Sequence, residues 1–214
     1  MLKIENVEIC GWEPAIRGAR NPMNSWDKSD SGWDESETDW ESVSYIIGQN
    51  DLRLLTSLAD AGPDHGKYLR FIQVYCDITG PLYWYKELDT YRMGVEKNSC
   101  STMHKIHSRD LTVDDFSHDN NNVPGWLEYT ISVLNACRER FLDTNNKKWW
   151  YTMIQILPSS YNQRRTYMFS YAALRSIYHA RKHHKLDEWR EFCRWVESLP
   201  YSDLITGGIH SEKN

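Results

Sequence analysis

Arg181 stands at the end of an apolar stripe. Read as a helix from Tyr171, the segment puts Leu174, Ile177 and Tyr178 on its face, at offsets of seven, four and three. An arginine there needs an anion or an acceptor, because burying it unpaired is costly. A structural partner, Glu188 or Asp187, meets that need; so does a bound phosphate or base carbonyl. Arg175, His179 and Lys182 fall on the opposite face, which the pattern predicts to be the wetter one. Residues 160–195 hold eight bases against three acids, with His179, His183 and His184 in addition. In a chain of net charge −5 this basic zone is local. It suits a small anion or a solvated helix face, and a nucleic-acid polymer is not expected.

Other candidate groups carry less. His179 and His183 lie one helical turn apart, a spacing that can hold a metal, but the neighbouring Arg175, Arg181, Lys182 and Lys185 oppose a cation. His104 and His107 form a shorter pair. Neither pair is read as a metal site. Cys100 lies in a small polar loop as an ordinary thiol or a nucleophile. Five scattered cysteines form no CxxC pair, so a disulfide framework or zinc site is unsupported and a reducing cytoplasm is the expected home. No phosphate loop, GxGxxG or GxSxG is present. A membrane-spanning run and a signal peptide are also lacking, so no membrane partner is expected.

The elements that must position these residues read as an α+β pattern. Strands are expected at 2–10, 68–78 and 164–170; in the second, Ile72, Val74, Cys76 and Ile78 point one way. Helices are expected at 51–61, 81–93, 126–142 and 147–156, from Tyr171 to about His184, and over Leu186–Val196. Residues 95–124 read as loop-rich. With 214 residues the chain has the length of a single domain, 1–214. Ten Trp and thirteen Tyr against five Phe suit half-buried faces, interfaces and flat ligands, or simply a ring-rich core. Residues 21–42 carry seven acids and Trp26, Trp33 and Trp40 at intervals of seven. They are expected to form an ordered loop whose tryptophans dock onto the protein. DKSDSG within it starts like a calcium loop, but Thr38 stands where that loop requires Glu.

Two blocks resemble the flavin-dependent thymidylate synthases, the ThyX family. The first runs from Ile78-Thr79-Gly80-Pro81 to Tyr91-Arg92; the second runs from Leu157-Pro158 through strand 164–170 and the helix to Arg181, then Glu188-Trp189-Arg190-Glu191. The second block aligns without a gap from Pro158 to Arg181, on the family's substrate-contacting arginine. One inserted residue brings Asn98 and Ser101 onto the Asn and second Ser of the family signature RHRxxSxNExSxRY. The Asn-Ala-Arg that holds flavin in the family reads Ser170-Tyr171-Ala172 here, and Ile154 stands where the family often has a further nucleotide-binding arginine.

The resemblance implies a ThyX-like antiparallel sheet with packed helices, oligomeric, as a homotetramer with the site at a subunit interface. It implies a pyrimidine nucleotide, dUMP converted to dTMP, with FAD and methylenetetrahydrofolate. Arg181 would hold the pyrimidine and act in catalysis, Arg92 would hold a phosphate, and Asn98 and Ser101 would supply the nucleotide loop. Ser170 and His184 would lie on the cofactor side. The alternative keeps the fold without redox chemistry, as a nucleotide-binding or nucleotide-sequestering protein.

Overall fold

The computed structural model describes residues 2–34, 45–118 and 123–207. In chain order these form β1 (Lys3–Cys10), α1 (Trp12–Arg20), β2 (Gly32–Trp33), β3 (Tyr45–Ile46), α2 (Gln49–Asp60), β4 (Gln73–Pro81) and α3 (Leu82–Leu88). Next come β5 (Val95–Ser99), α4 (Thr102–Lys105), α5 (Gly125–Thr144), α6 (Lys147–Ile156), β6 (Asn162–Ser170), α7 (Tyr171–Arg181), α8 (Asp187–Glu197) and α9 (Asp203–Thr206).

Four strands form one sheet in the order β1-β4-β6-β5. Its ladder ends fix the direction. The N–H of Tyr171 donates to Ile72 O and that of Leu82 to Tyr161 O, so β4 and β6 run antiparallel. Ser170 N–H to Gly94 O and Cys100 N–H to Arg164 O do the same for β6 and β5. The fold is therefore α+β with an antiparallel sheet. Among the described residues no helix is long and apolar enough to cross a membrane.

The chain packs as two compact units. One comprises Met1–Glu5, Asp77–Thr90 and Lys97–Thr166. Its longest helices form the α5–α6 hairpin, whose stripe Leu127, Ile131 and Leu134 closes over Ile106, Leu111, Phe116 and Met153. Asn135 pins the incoming loop by bonding both the N–H and the C=O of Leu111 at 2.9 Å. The apolar period of α5 alone predicts this burial.

The other unit comprises Asn6–Cys76, Tyr91–Glu96 and Tyr167–Asn214. Ile72, Val74 and Cys76 are buried as their alternation predicts, and Phe169, Trp189 and Phe192 pack edge to face beside them. Gly11 joins β1 to α1 at φ +92, and a Cβ there would lie 2.0 Å from the Phe71 carbonyl oxygen, so no larger residue fits.

Several elements differ from their sequence reading. The strand expected at 68–78 starts at Gln73 and continues to Pro81, because Gly66–Arg70 winds as a 3-10 turn. The helix expected at 81–93 ends at Leu88, and residues 95–124 include β5 and α4. Residues 11–20, with no expectation, form α1. The helix from Tyr171 stops at Arg181 rather than near His184.

Residues 21–34 are ordered, but not by their tryptophans. Trp26 is 50% and Trp33 57% exposed, and Trp40 lies outside the described residues. The fastener is Asp51 on α2, fully buried. One of its oxygens accepts from Arg20 Nε at 2.5 Å. The other accepts from Ser29 Oγ and Ser31 Oγ, each at 2.6 Å, and from Asp30 N–H at 3.2 Å. Arg20 also donates to the Ser25 and Lys28 carbonyls. Burial pushes the Asp51 carboxyl upward, yet the two serine hydroxyls and Arg20 outweigh it and hold it below the ordinary range. Asp30, the second acid of the calcium-like run, spends both oxygens on the N–H groups of Asn50 and Asp51 and so caps α2.

Candidate functional site

Helix α7 carries the leading candidate, and its start is tightly built. The Ser170 hydroxyl accepts from Ala173 N–H at 3.2 Å as an N-cap. Gly94 sits against it at φ +70, where a Cβ would come within 2.3 Å of Ser170 Oγ. Leu174 and Ile177 are fully buried, as the stripe predicts. Arg181 therefore emerges at the C-terminal end, where the helix dipole favours a cation.

Arg181 meets two rings. Its Nε donates to the Tyr91 phenol oxygen at 2.9 Å. Its guanidinium carbon lies 4.9 Å from the Trp189 ring centroid and 5.6 Å from that of Tyr91. Tyr91 and Trp189 themselves pack edge to face, 6.3 Å apart. The His184 ring lies edge-on to Trp189 at 6.2 Å, and its Nδ1 accepts from Leu186 N–H. A half-buried guanidinium thus lies against two aromatic rings, one of which also accepts a hydrogen bond from it. Of the two acids that could serve Arg181 as structural partners, Asp187 is paired with Arg190 and Glu188 is buried on α8. Arg92 follows Tyr91 directly and is exposed.

Asn98, Cys100 and Ser101 belong to the other unit and are described there. Asn98 is exposed on β5. Cys100 is tied by its backbone, its N–H to Arg164 O at 3.0 Å and its C=O to Gln163 Nε2 at 2.6 Å. Ser101 caps α4: its hydroxyl accepts from His104 N–H at 3.1 Å and meets His104 Nδ1 at 2.8 Å.

Much of the basic zone is structural. Arg164 pairs with Asp77 at 2.6 Å. Arg165 bonds both oxygens of Asp89 and stacks 3.8 Å over Tyr85. Arg175, read as wet, is 9% exposed: it donates to Leu204 O at 2.8 Å and reaches Asp60 at 3.4 Å. Helical period places a residue on a face but is blind to α9, which covers that face. Burial, then the charges of Arg175 and Lys182, lower the pKa of His179 and keep it neutral. Among the described residues no three His, Cys, Asp or Glu side chains gather as a metal site.

Arg175 also lines a cavity of about 220 Å³ with Arg70, Leu69, Ala172 and Ser176. Sequence reasoning misses it, because Arg70 lies in the 3-10 turn mistaken for a strand. The three residues at the Asn-Ala-Arg position offer a flavin little here. The Ser170 hydroxyl caps a helix, Tyr171 is fully buried with its hydroxyl donating to Pro200 O at 2.6 Å, and Ala172 ends in a methyl. This segment does not fit the flavin contacts it would inherit.

No family model matches the sequence, and no curated protein matches it. Solved structures do. Thymidylate synthase X (ThyX) from Helicobacter pylori, solved with FAD and dUMP, superposes with a TM-score of 0.73 at 14% identity, over 98% of this chain and 100% of that one. The UMP/dUMP methylase PolB from Streptomyces cacaoi, bound with 5-Br dUMP, gives a TM-score of 0.62 at 15% identity, over 94% and 93%. Nearly the whole of this chain thus follows the path of theirs, and it has a divergent ThyX-like fold.

Proposed function

We propose that this protein acts on a pyrimidine nucleotide of the dUMP type as a divergent ThyX-like enzyme. The observation that carries the reading is Arg181, at the end of α7 and in contact with Tyr91 and Trp189. Two parallel donors of its fork suit a base carbonyl or a phosphate. Arg92 is the phosphate contact in this reading, and Asn98 and Ser101 supply the nucleotide loop. The likeness to proteins solved with dUMP or its bromo analogue supports the substrate class. A homotetramer and a cytoplasmic setting belong to the same reading.

FAD is the cofactor that the resemblance implies; it would supply hydride chemistry. Of the two residues that the resemblance puts on its side, His184 remains a candidate, whereas the Ser170 hydroxyl is committed to capping α7. The misfit at Ser170-Tyr171-Ala172 favours a second reading, a nucleotide-binding protein that has lost the flavin and with it the redox step.

One pair of measurements tests both. Calorimetric titration of dUMP should give saturable binding, and its absence would overturn both readings. Purified protein with flavin-type absorbance, or acquiring it on addition of FAD, supports the enzyme; a protein that binds dUMP and stays colourless supports the second reading.

A further inference from the structure

A cavity of about 790 Å³ lies wholly within the unit that contains α1, and Arg181 is not among its lining residues. Two ring pairs wall it. Trp12 and Tyr201 meet edge to face at 5.2 Å and 70°. Trp33 and Tyr45, cross-strand partners on the β2–β3 hairpin, meet at 5.2 Å and 83°. The rings of each pair stand nearly at right angles, so the groove is lined by aromatic surface from both pairs. Trp33 and Ile46 leave 57% and 48% of their surface exposed on the hairpin side.

The charge of the walls is one-sided. Among the described residues Glu13 is the charged lining residue, and neither Lys nor Arg lines the cavity. Arg17 lies 3.3 Å from Glu13, but both side chains are at least half exposed, so water screens that pair. The Tyr45 phenol is pushed up by burial and then by the charges of Glu13 and Asp51, with Arg17 acting against them. A phosphate would meet Glu13 and no cationic lining residue among the described residues. Aromatic faces with a carboxylate beside them attract the opposite class of ligand.

We propose that this groove binds an organic ammonium, a quaternary or alkylated amine carried on an apolar body. Its volume falls in the range of small-molecule sites and exceeds what a bare ammonium head fills. The charged head lies against the rings near Glu13, and the apolar body covers Trp33 and Ile46. This ligand differs in charge from the nucleotide proposed at Arg181, so the two sites can be tested separately.

The test compares choline with its uncharged isostere 3,3-dimethylbutan-1-ol by calorimetry at low ionic strength. Choline should bind at least about tenfold more tightly. Trp33→Ala should weaken choline by a similar factor, Trp33→Phe should restore part of it, and Glu13→Gln should weaken it several-fold, all with dUMP binding unchanged. Trp33 is exposed enough that Trp33→Ala should fold, and a melting curve checks this. Equal affinity for the two isosteres, no saturable choline binding in the millimolar range, or a Trp33→Ala variant that binds as wild type would overturn the proposal. So would an oligomer that Trp33→Ala dissociates while choline stays inert, an outcome that assigns the face to a second copy.

Discussion

Arg181 Nε donates to the Tyr91 hydroxyl at 2.9 Å across 90 positions of sequence. The Trp189 ring centroid lies 4.9 Å from the same guanidinium. Replacing Arg181 with Lys keeps the charge and loses the fork. The expected result is dUMP binding weakened at least tenfold, about 1.4 kcal/mol, with the melting temperature little changed. A fall in stability with unchanged affinity in the folded protein would make the arginine structural.

Tyr91→Phe separates orientation from charge. The ring and its packing on Trp189 survive, while the acceptor for Arg181 Nε is lost. Affinity for dUMP should fall by about threefold to tenfold, the worth of roughly one hydrogen bond. An unchanged titration would show that the Tyr91 bond does not orient Arg181 for the nucleotide.

The legible part of this molecule is its periodic part. The α5 stripe and the alternation of β4 specify their buried faces directly, since each depends on spacing within one segment. Ten residues of α6 fall where the sequence puts them. The pair Arg181 and Leu174 was legible for the same reason. Tyr91 as the arginine's acceptor was not, because a contact between distant segments leaves no local period. Arg175 shows the converse, since its carbonyl partner Leu204 sits in a separate helix. Residues 21–34 show a third kind of failure. Large rings suggested hydrophobic docking, whereas the order comes from one buried carboxylate that composition cannot distinguish from its exposed neighbours.

Gly94→Ala tests how tightly β5 approaches α7. The substitution places a methyl within 2.3 Å of Ser170 Oγ and forces an L side chain into φ +70. Strain of this kind costs about 1–3 kcal/mol, and loss of the Ser170 cap adds to it. Denaturant unfolding should report a destabilisation in that range. Gly62→Ala serves as control, since at φ +103 it shares the backbone strain but meets no atom within 4 Å. Equal losses would mean that the packing against Ser170 contributes nothing.

Asp51→Asn should loosen residues 21–34 more than removal of either exposed tryptophan. The substitution preserves shape but leaves Arg20, 5% exposed, without its buried counter-charge. Breaking a buried pair in this way costs about 3 kcal/mol. Limited proteolysis at Lys28 should accelerate accordingly, whereas Trp26→Ala should change it little, as that ring is half in water. The pH dependence follows from the direction of the shift. A carboxyl whose folded pKa is depressed stabilises the fold fully above its unfolded value near 4, and that contribution is lost as pH falls through the lower folded value. Wild type should therefore become protease-sensitive at Lys28 at pH values below about 4, and an acid-tolerant protease such as pepsin can follow it at neighbouring bonds. Asp51→Asn should lack that part of the pH dependence and be sensitive already at neutral pH. If the variant instead matches wild type at neutral pH, Ser29, Ser31 and the remaining Arg20 bonds hold the segment without the charge.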